Sequence, residues 1–360
     1  MPFDPVPLTT ETTADRRNRH LLAGWLFTLC FMTLVMVALG GATRLTGSGL
    51  SIMEWAPIMG SLPPMSGREW LRLFALYQKI PQYDLLHAGF GLDGFKHIFW
   101  LEWTHRLWGR LIGFAFLLPL IALWWRGAVP RRLLPRLALL FALGGLQGAV
   151  GWFMVASGFF PDSTAVSPYR LVVHLALALT LYAAMLWTGL SVLRPRRRRD
   201  APVGLARALG VLAGFVALTI VAGGFVAGLH AGLTYNTYPL MDGRLVPEGY
   251  ASMRPFLRNL TENIPAVQFD HRLLATATAL LALAVVGIGW TLDRRLRPVL
   301  APLAVAVALQ YGLGVATLLN MVPVPLAVAH QACAVLLLTA ALVALHVTRR
   351  GPLVVSQGAP

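Results

Sequence analysis

The chain has 360 residues, 57% of them hydrophobic and only 12% charged, with a net charge of +15 and a mean hydropathy of +0.65. A soluble domain carries about 25% charged residues, so the composition excludes an ordinary soluble protein and points to an integral membrane protein. Nor does the positive charge signal nucleic acid. The basic residues fall in short clusters between apolar runs, the pattern of loops held on one membrane face beside anionic headgroups.

Residues 1–20 are polar and end in "RRNRH". The apolar run behind them has no small-residue cleavage site and reads as a retained first span, not a secretory signal. A span needs about 20 mostly apolar residues. Eight segments qualify: 21–42, 98–125, 136–157, 170–193, 203–229, 265–290, 299–320 and 325–347. The fold class this predicts is an all-α integral membrane protein with eight transmembrane helices. Cys30 and Cys333 both lie inside apolar runs, so neither a disulfide framework nor a thiolate metal site is expected.

In chain order, span one ends in "GGATRLTGSGLS" (Gly40–Ser51). Loop 43–96 follows. In its "SGREWLRLFALYQ", Ser66 stands three residues before Glu69, a capping-box spacing. Trp70, Leu73, Phe74 and Tyr77 then share one helical face, which predicts a short amphipathic helix, either lying on the outer surface or forming a soluble loop helix. Span two opens with "LEWTHRLWGR", placing Glu102, His105, Arg106 and Arg110 within three turns. An ionisable residue at membrane depth costs about 2.5–3.5 kcal/mol on insertion scales, so a partner, a cofactor or a reaction must offset it. Span three carries Gln147 and Gly148, and span four carries His174 near its start. Span five ends in "GGFVAGLHAGLT" (Gly223–Thr234), and loop 230–264 leads to span six, opening with "QFDHRL" (Gln268–Leu273). Span seven carries Gln310 and Gly312, and span eight carries His330 near its start. Asn259 heads an "NLT" that is a glycosylation pattern by letters only.

The connections alternate in charge. Arg16, Arg17 and Arg19 precede span one, and Arg126, Arg131, Arg132 and Arg136 join spans two and three. "RPRRRRD" joins four and five, "DRRLRP" joins six and seven, and Arg349 and Arg350 follow span eight. The positive-inside rule puts this side, with both termini, in the cytoplasm, and turns loops 43–96 and 230–264 outwards. The localisation expected is the bacterial inner membrane.

The segments also repeat. "GGATRLTGSGLS" matches "GGFVAGLHAGLT", "EWTHRL" matches "QFDHRL", Gln147 and Gly148 have a looser echo in Gln310 and Gly312, and His174 matches His330. Each half is thus a four-helix unit. Four is even, so both halves enter the membrane in the same sense, as two parallel pseudo-symmetric four-helix bundles about an axis along the membrane normal. The divisions expected are a cytoplasmic segment 1–20, a first half 21–195, a second half 200–348 and a cytoplasmic tail 349–360.

Of nine histidines, His105, His174, His271 and His330 occupy matching positions, each a few residues inside the outer end of an even-numbered span. Facing helices with one histidine each form a natural axial clamp for heme iron, pairing His105 with His174 and His271 with His330. Zinc, the competing metal, wants a compact tetrahedron of four ligands, and no nearby Cys or carboxylate completes one in the second half. Arg106 and Arg272 each follow a ligand candidate and can bind heme propionates with paired hydrogen bonds; snorkelling to the headgroups would place them equally well. Glu102 lies one turn before His105, where the second half has Gln268 before His271. At that position, over the expected heme, only the first half therefore offers an ionisable group, which can act as acid or base or simply pair with Arg106 at i,i+4. Three function classes follow: a heme-modifying oxidoreductase, a diheme membrane electron-transfer cytochrome without substrate chemistry, and a transporter built from parallel repeats. The last predicts polar residues at midplane, whereas here they gather at the outer ends.

"GGATRLTGSGLSIMEWAPIMGSLPP", "EWTHRLWGR", "GLHAGLTYNTYPLMDG", "QFDHRLLA" and "VAHQACAV" closely resemble the heme A synthase family, over about residues 20–347. The resemblance implies an enzyme that oxidises a ring methyl of heme O to a formyl group by successive hydroxylations, with water as the expected oxygen source, giving heme A for cytochrome c oxidase. It implies heme b as cofactor, ligated by His271 and His330, with His105 and His174 on the substrate heme and Glu102 as the catalytic carboxylate. Membrane lipids, heme O synthase and further copies in a homo-oligomer are the partners it suggests; the electron acceptor stays open. Some members carry cysteine pairs in the outer loops. This chain has none there, like the cysteine-poor class of proteobacteria and mitochondria, so a thiol-based electron step is not expected. Tyr235, Asn236, Tyr238 and Met241 either close over heme or pack as an ordinary surface loop. His87, His97 and His230 read as surface or hydrogen-bonding residues.

Overall fold

The structure, a computed structural model, describes residues 13–56, 59–161, 163–193 and 203–349. Residues 1–12, the "RPRRRRD" run with the proposed division between halves, and residues 350–360 of the tail lie outside the described residues. All eight expected spans are helices: α1 (Thr13–Leu45), then after two short loop helices α2 (Gly67–Tyr77) and α3 (Pro81–Leu86), α4 (Leu92–Trp125), α5 (Leu134–Val155), α6 (Pro168–Leu193) and α7 (Val203–Gly228). The one-turn α8 (Asn259–Glu262) precedes α9 (Ile264–Leu292), α10 (Arg297–Leu319) and α11 (Val324–Thr348). Each of the eight long helices is long and apolar enough to cross a membrane. Within a bilayer every backbone polar group must be satisfied internally, which a helix does by itself. Prolines open α5, α9, α10 and α11 at the first or second position, where the missing N–H costs nothing.

Spans one to four, α1, α4, α5 and α6, pack in a closed cycle of neighbours, α1 on α4, α4 on α5, α5 on α6 and α6 back on α1. Helices α7, α9, α10 and α11 close a second cycle in the same order. The cycles meet where α6 packs on α7 and α11, and α1 on α11. One apolar core runs through both cycles, with Leu26, Leu29, Leu209, Leu212, Ala341 and Ala344 each at most 1% exposed. Polar bonds join the cycles: Tyr182 to Thr339 at 2.7 Å, Gln331 Nε2 donating to the Val37 carbonyl at 3.1 Å, and Arg44 donating to the Ala227 carbonyl at 2.8 Å. Large apolar side chains on the outward faces, among them Phe31, Phe114, Leu118, Leu280 and Leu283, are exposed. A helix apolar all round belongs in lipid.

The expected loop helix is α2, capped as its sequence indicates. The Ser66 side chain accepts from the Glu69 N–H at 3.2 Å. The reciprocal half of the capping box is replaced, because the Glu69 carboxylate pairs with Arg72, which also grips Glu54 through two bonds at 2.8 Å. The apolar face does not lie on an open surface as expected. Leu73 and Tyr77 are buried, and Trp70 and Phe74 pack with them against Phe95, Ile98 and Phe99 of α4. Asn259, the "NLT" asparagine, is fully buried and donates to the carbonyls of Met253 and Phe256, so it is closed to glycosylation.

Candidate functional site

Each of the four histidines rests against a glycine of the preceding span. A Cβ placed on Gly40 (α1) would lie 3.0 Å from Cε1 of His105 (α4), and one on Gly151 (α5) 2.9 Å from Cε1 of His174 (α6). In the second half the same contact joins Gly223 (α7) to His271 (α9) at 3.1 Å and Gly314 (α10) to His330 (α11) at 2.9 Å. Cε1 is the nearest ring atom in every case, followed by Nδ1 and then Nε2. Carbon atoms in contact prefer about 3.5–4.0 Å, so only glycine lets these rings lie flush on the neighbouring helix. Gly40 and Gly223 entered the sequence reading only as the first residues of its repeated motifs and Gly151 and Gly314 not at all, and the pair noted on spans three and seven, Gly148 and Gly312, has open space where its Cβ would be. The available signal was spacing: Gln147 and Gly151, like Gln310 and Gly314, stand four residues apart on one helical face.

His105 and His174 lie near one another, as do His271 and His330. The Nδ1 atoms of His105, His271 and His330 are buried with no partner at hydrogen-bonding geometry, although the main chain of Thr219 runs beside His271 and that of Gln310 beside His330. Nδ1 of His174 lies 3.1 Å from the amide nitrogen of Gln147. Among the described residues no three His, Cys, Asp or Glu side chains converge as a metal site. Heme iron asks the protein for only two axial nitrogens, and uncommitted imidazoles on facing helices fit that demand. The residues present therefore fit heme.

Above each pair the chain turns out of the membrane through the same motif. Gly47 (φ 66°) and His230 (φ 53°) adopt the left-handed conformation and lead into single 3₁₀ turns, Ser48–Leu50 and Ala231–Leu233. In the first half this turn grips Glu102, which is 2% exposed. Its Oε2 accepts from the Ser51 hydroxyl at 2.7 Å and the Ile52 N–H at 2.8 Å, and its Oε1 from Arg106 Nε at 2.9 Å, with a second bond from the same guanidinium. The second half keeps the frame and reverses the polarity. Gln268 donates through Nε2 to the carbonyls of Ala231 at 2.7 Å and Thr234 at 2.5 Å.

Arg106 and Arg272 also serve the loops. Arg106 donates to the carbonyls of Glu54 and Ile52, Arg272 to those of Thr237, Tyr235 and the Gln268 side chain. Arg110 donates to the Ala56 carbonyl. Trp152 of α5 lies under the Arg106 guanidinium and stacks on Trp55, covering the first-half turn. In the second loop Met241 is buried, Asn236 ties Gly232 to Leu318, and the Tyr238 hydroxyl meets Tyr311 of α10 at 2.6 Å. His87 hydrogen-bonds Tyr77 at 2.5 Å, and burial holds its imidazole below the ordinary value. His230 is likewise lowered, by burial and then by Arg44. His97 is exposed.

Among the described residues, eight helices long and apolar enough to cross a membrane, with four histidines seated on glycines of neighbouring helices, define a polytopic all-α membrane protein. The chain matches the model of the family described as cytochrome oxidase assembly protein over residues 23–342, and it belongs to that family. It is 67% identical over 349 residues to a protein of Granulibacter bethesdensis named heme A synthase, an alignment covering 97% of this chain and 92% of the relative. A Rhodospirillum centenum protein of the same name is 49% identical over 332 residues, covering 91% and 88%. Heme A synthase 2 of Acidiphilium cryptum is 44% identical over 337 residues, covering 91% of each.

Proposed function

We propose that the chain carries out heme A synthesis in the bacterial inner membrane, oxidising a methyl group of heme O to the formyl group of heme A. The observation that carries this reading is the pair of like-built histidine seats of which only one is topped by a carboxylate, Glu102 against Gln268. The names of the relatives support it. A diheme electron carrier would have no use for that asymmetry.

Conversion of a methyl to a formyl carbon takes one oxygen, here assigned to water, and releases four electrons and four protons. His271 and His330 would hold the resident heme b, whose iron can change oxidation state and so pass electrons on. His105 and His174 would hold the substrate heme, oriented by Gly40 and Gly151 beneath their rings. Arg106 and Arg272, beside the ligands, hold the loops over the two sites and are the residues we assign to the propionates. The turns at Ser48–Leu50 and Ala231–Leu233, pinned by Glu102 and Gln268, exclude water from above.

Glu102 is the group we assign to proton transfer, at Oε2. Three of its bonds come from donors with fixed hydrogens, but a serine hydroxyl can turn from donor to acceptor without backbone movement. A proton taken up on Oε2 is therefore accommodated by rotation of the Ser51 hydroxyl. The two bundles are read as a parallel pseudo-repeat, with both termini cytoplasmic, the heme sites towards the periplasm and heme O synthase as the supplier of substrate.

Pigment extraction tests the function. Purified protein should yield heme b together with hemes O and A. Heme b alone would favour the electron carrier. Glu102→Gln should keep the heme spectra and abolish heme A formation; heme A at the normal rate would make Glu102 structural.

A further inference from the structure

The repeat makes each half a measure of the other, and on one face the two differ. Counted from the seat glycines Gly151 and Gly314, Gly148 of α5 corresponds to Tyr311 of α10. Counted from His105 and His271, Arg110 of α4 corresponds to Thr276 of α9. Arg106 grips the carbonyls of Ile52 and Glu54 where Arg272 grips those of Tyr235 and Thr237, so in the loops Trp55 corresponds to Tyr238. In the second half the three positions are joined by hydroxyls. Thr276 donates to the Arg272 carbonyl at 2.9 Å. A hydroxyl has one proton to give, so Tyr311 donates to Thr276 at 2.9 Å and Tyr238 to Tyr311 at 2.6 Å. One side chain, Tyr311, thereby ties α10 both to α9 and to the loop, three residues before the glycine on which His330 rests.

The first half replaces all three. Gly148 brings no side chain, and among the described residues nothing lies within 4 Å of where its Cβ would be. Arg110 turns to the loop, donating to the Ala56 carbonyl at 2.8 Å. Trp55 meets α5 by stacking on Trp152, with ring centroids 6.0 Å apart. Packing follows the same division. Helix α5 buries Leu137 and Leu140, both in its first two turns, whereas α10 buries Leu300, Leu303 and Val307 and also Thr317, three residues past Gly314. Resting on the heme reading above, we propose that Tyr311 is the latch that retains the second heme. It is a positioning residue. Its hydroxyl holds α9, which carries His271, against α10 and the loop, and the heme leaves only when those bonds open. The first half has to take in a substrate and let a product go. Its α4–α5 face, where glycine stands in place of the latch, is the side on which it exchanges heme with the lipid.

The test follows heme leaving the purified, full-length, heme-loaded protein for an excess of apomyoglobin, with the hemes still bound separated by chromatography at each time. The unaltered protein should lose hemes O and A first and keep heme b; the opposite order overturns the proposal. Tyr311→Phe keeps the ring and removes both bonds. It should speed the loss of heme b about 5- to 150-fold, the net worth of two hydrogen bonds, and leave the loss of hemes O and A unchanged. Tyr238→Phe removes one bond and should speed it about 2- to 12-fold. Gly148→Tyr should act on the other site, slowing the loss of hemes O and A with heme b unaffected; unslowed loss there overturns the assignment of the α4–α5 face. An unchanged rate for heme b in Tyr311→Phe overturns the latch. So does an equal acceleration at both sites, which is what general loosening of the bundles would give. Should Tyr311→Phe fail to fold, an unchanged rate in Tyr238→Phe overturns it instead. Unaltered protein that holds no heme b sinks the functional reading itself, whereas heme b held equally well with and without the Tyr311 hydroxyl sinks the latch alone.

Discussion

Gly314→Ala makes the sharpest test of the histidine seats. The new methyl would stand 2.9 Å from His330 Cε1, against about 3.5–4.0 Å for a comfortable carbon pair, so one side must yield by about 0.6–1.1 Å. Two long helices are packed along their length there, and the imidazole is the softer element. It is pushed off the helix and out of line with its partner His271. Overpacking of this kind costs about 1–3 kcal/mol, which, at about 1.4 kcal/mol per factor of ten, is about 5- to 150-fold in heme affinity. Gly312→Ala is the control, since no atom lies within 4 Å of a Cβ there. In a helix interior glycine is worse than alanine by about 1 kcal/mol, so the control should be as stable as the parent or more so, with full pigment. The assay is heme content per protein by absorbance after purification, with dilution-driven loss giving the affinity. Equal heme retention in the Gly314→Ala and Gly312→Ala proteins would refute the reasoning that glycine is required beneath the ligand.

Other outcomes follow from the same geometry. Arg106→Met should destabilise by about 3–5 kcal/mol, because it strands the buried Glu102 carboxylate without its charge partner. Arg272→Met leaves only neutral hydrogen-bond acceptors unpaired, its one charged neighbour, Asp242, being exposed, and should cost about 1–3 kcal/mol; thermal unfolding in detergent would rank the two, and the reverse order would contradict the assignment of charge. The α2–α3 cap should loosen in acid. Burial holds His87 below its ordinary 6.5, so the unfolded segment binds a proton more readily than the folded one. That stability is complete above pH 6.5 and declines as the pH falls through the lowered value. Hydrogen exchange of the α2–α3 amides at pH 7.5 and 5.5 should show the loss, and His87→Gln should remove the pH dependence.

The eight spans were legible because lipid imposes length and apolarity together, and the least well bounded starts were those where a helix begins ahead of its apolar run, α1 at Thr13 and α4 at Leu92. The four histidines and the Glu102–Gln268 contrast were legible because polar residues inside apolar spans are few and repeat. The face of α2 was read correctly in its residues but not in its partner. An amphipathic stripe has the same letters whether it meets lipid or Phe95 and Phe99, and only the fold distinguishes them. The seat glycines escaped for a related reason. A membrane helix tolerates many glycines, and those that matter are identified by what lies opposite, which single-chain periodicity does not carry.

The reversed polarity of the two turns makes the asymmetry hard to undo, and Gln268→Glu is the substitution that exposes this. Glu102 sits among donors, a hydroxyl, a main-chain N–H and a guanidinium. Gln268 points its amide nitrogen at two carbonyl oxygens, 2.7 and 2.5 Å away. Glutamate there keeps the Arg272 bond to Oε1, now 3.1 Å, but sets an acceptor against two acceptors. As a protonated acid it can donate to one of them and leaves the other unmet, so the chain loses at least one buried hydrogen bond, worth about 1–3 kcal/mol. The expected result is a clear fall in unfolding temperature, a proton taken up by the substituted side chain, visible as a carboxylic C=O band in the infrared, and no gain of oxidising activity at the second heme. An equally stable protein with an ionised side chain at position 268 would mean that the turn can rearrange to supply donors. The carboxylate could then sit in either half, and its confinement to the first would no longer mark where the chemistry happens.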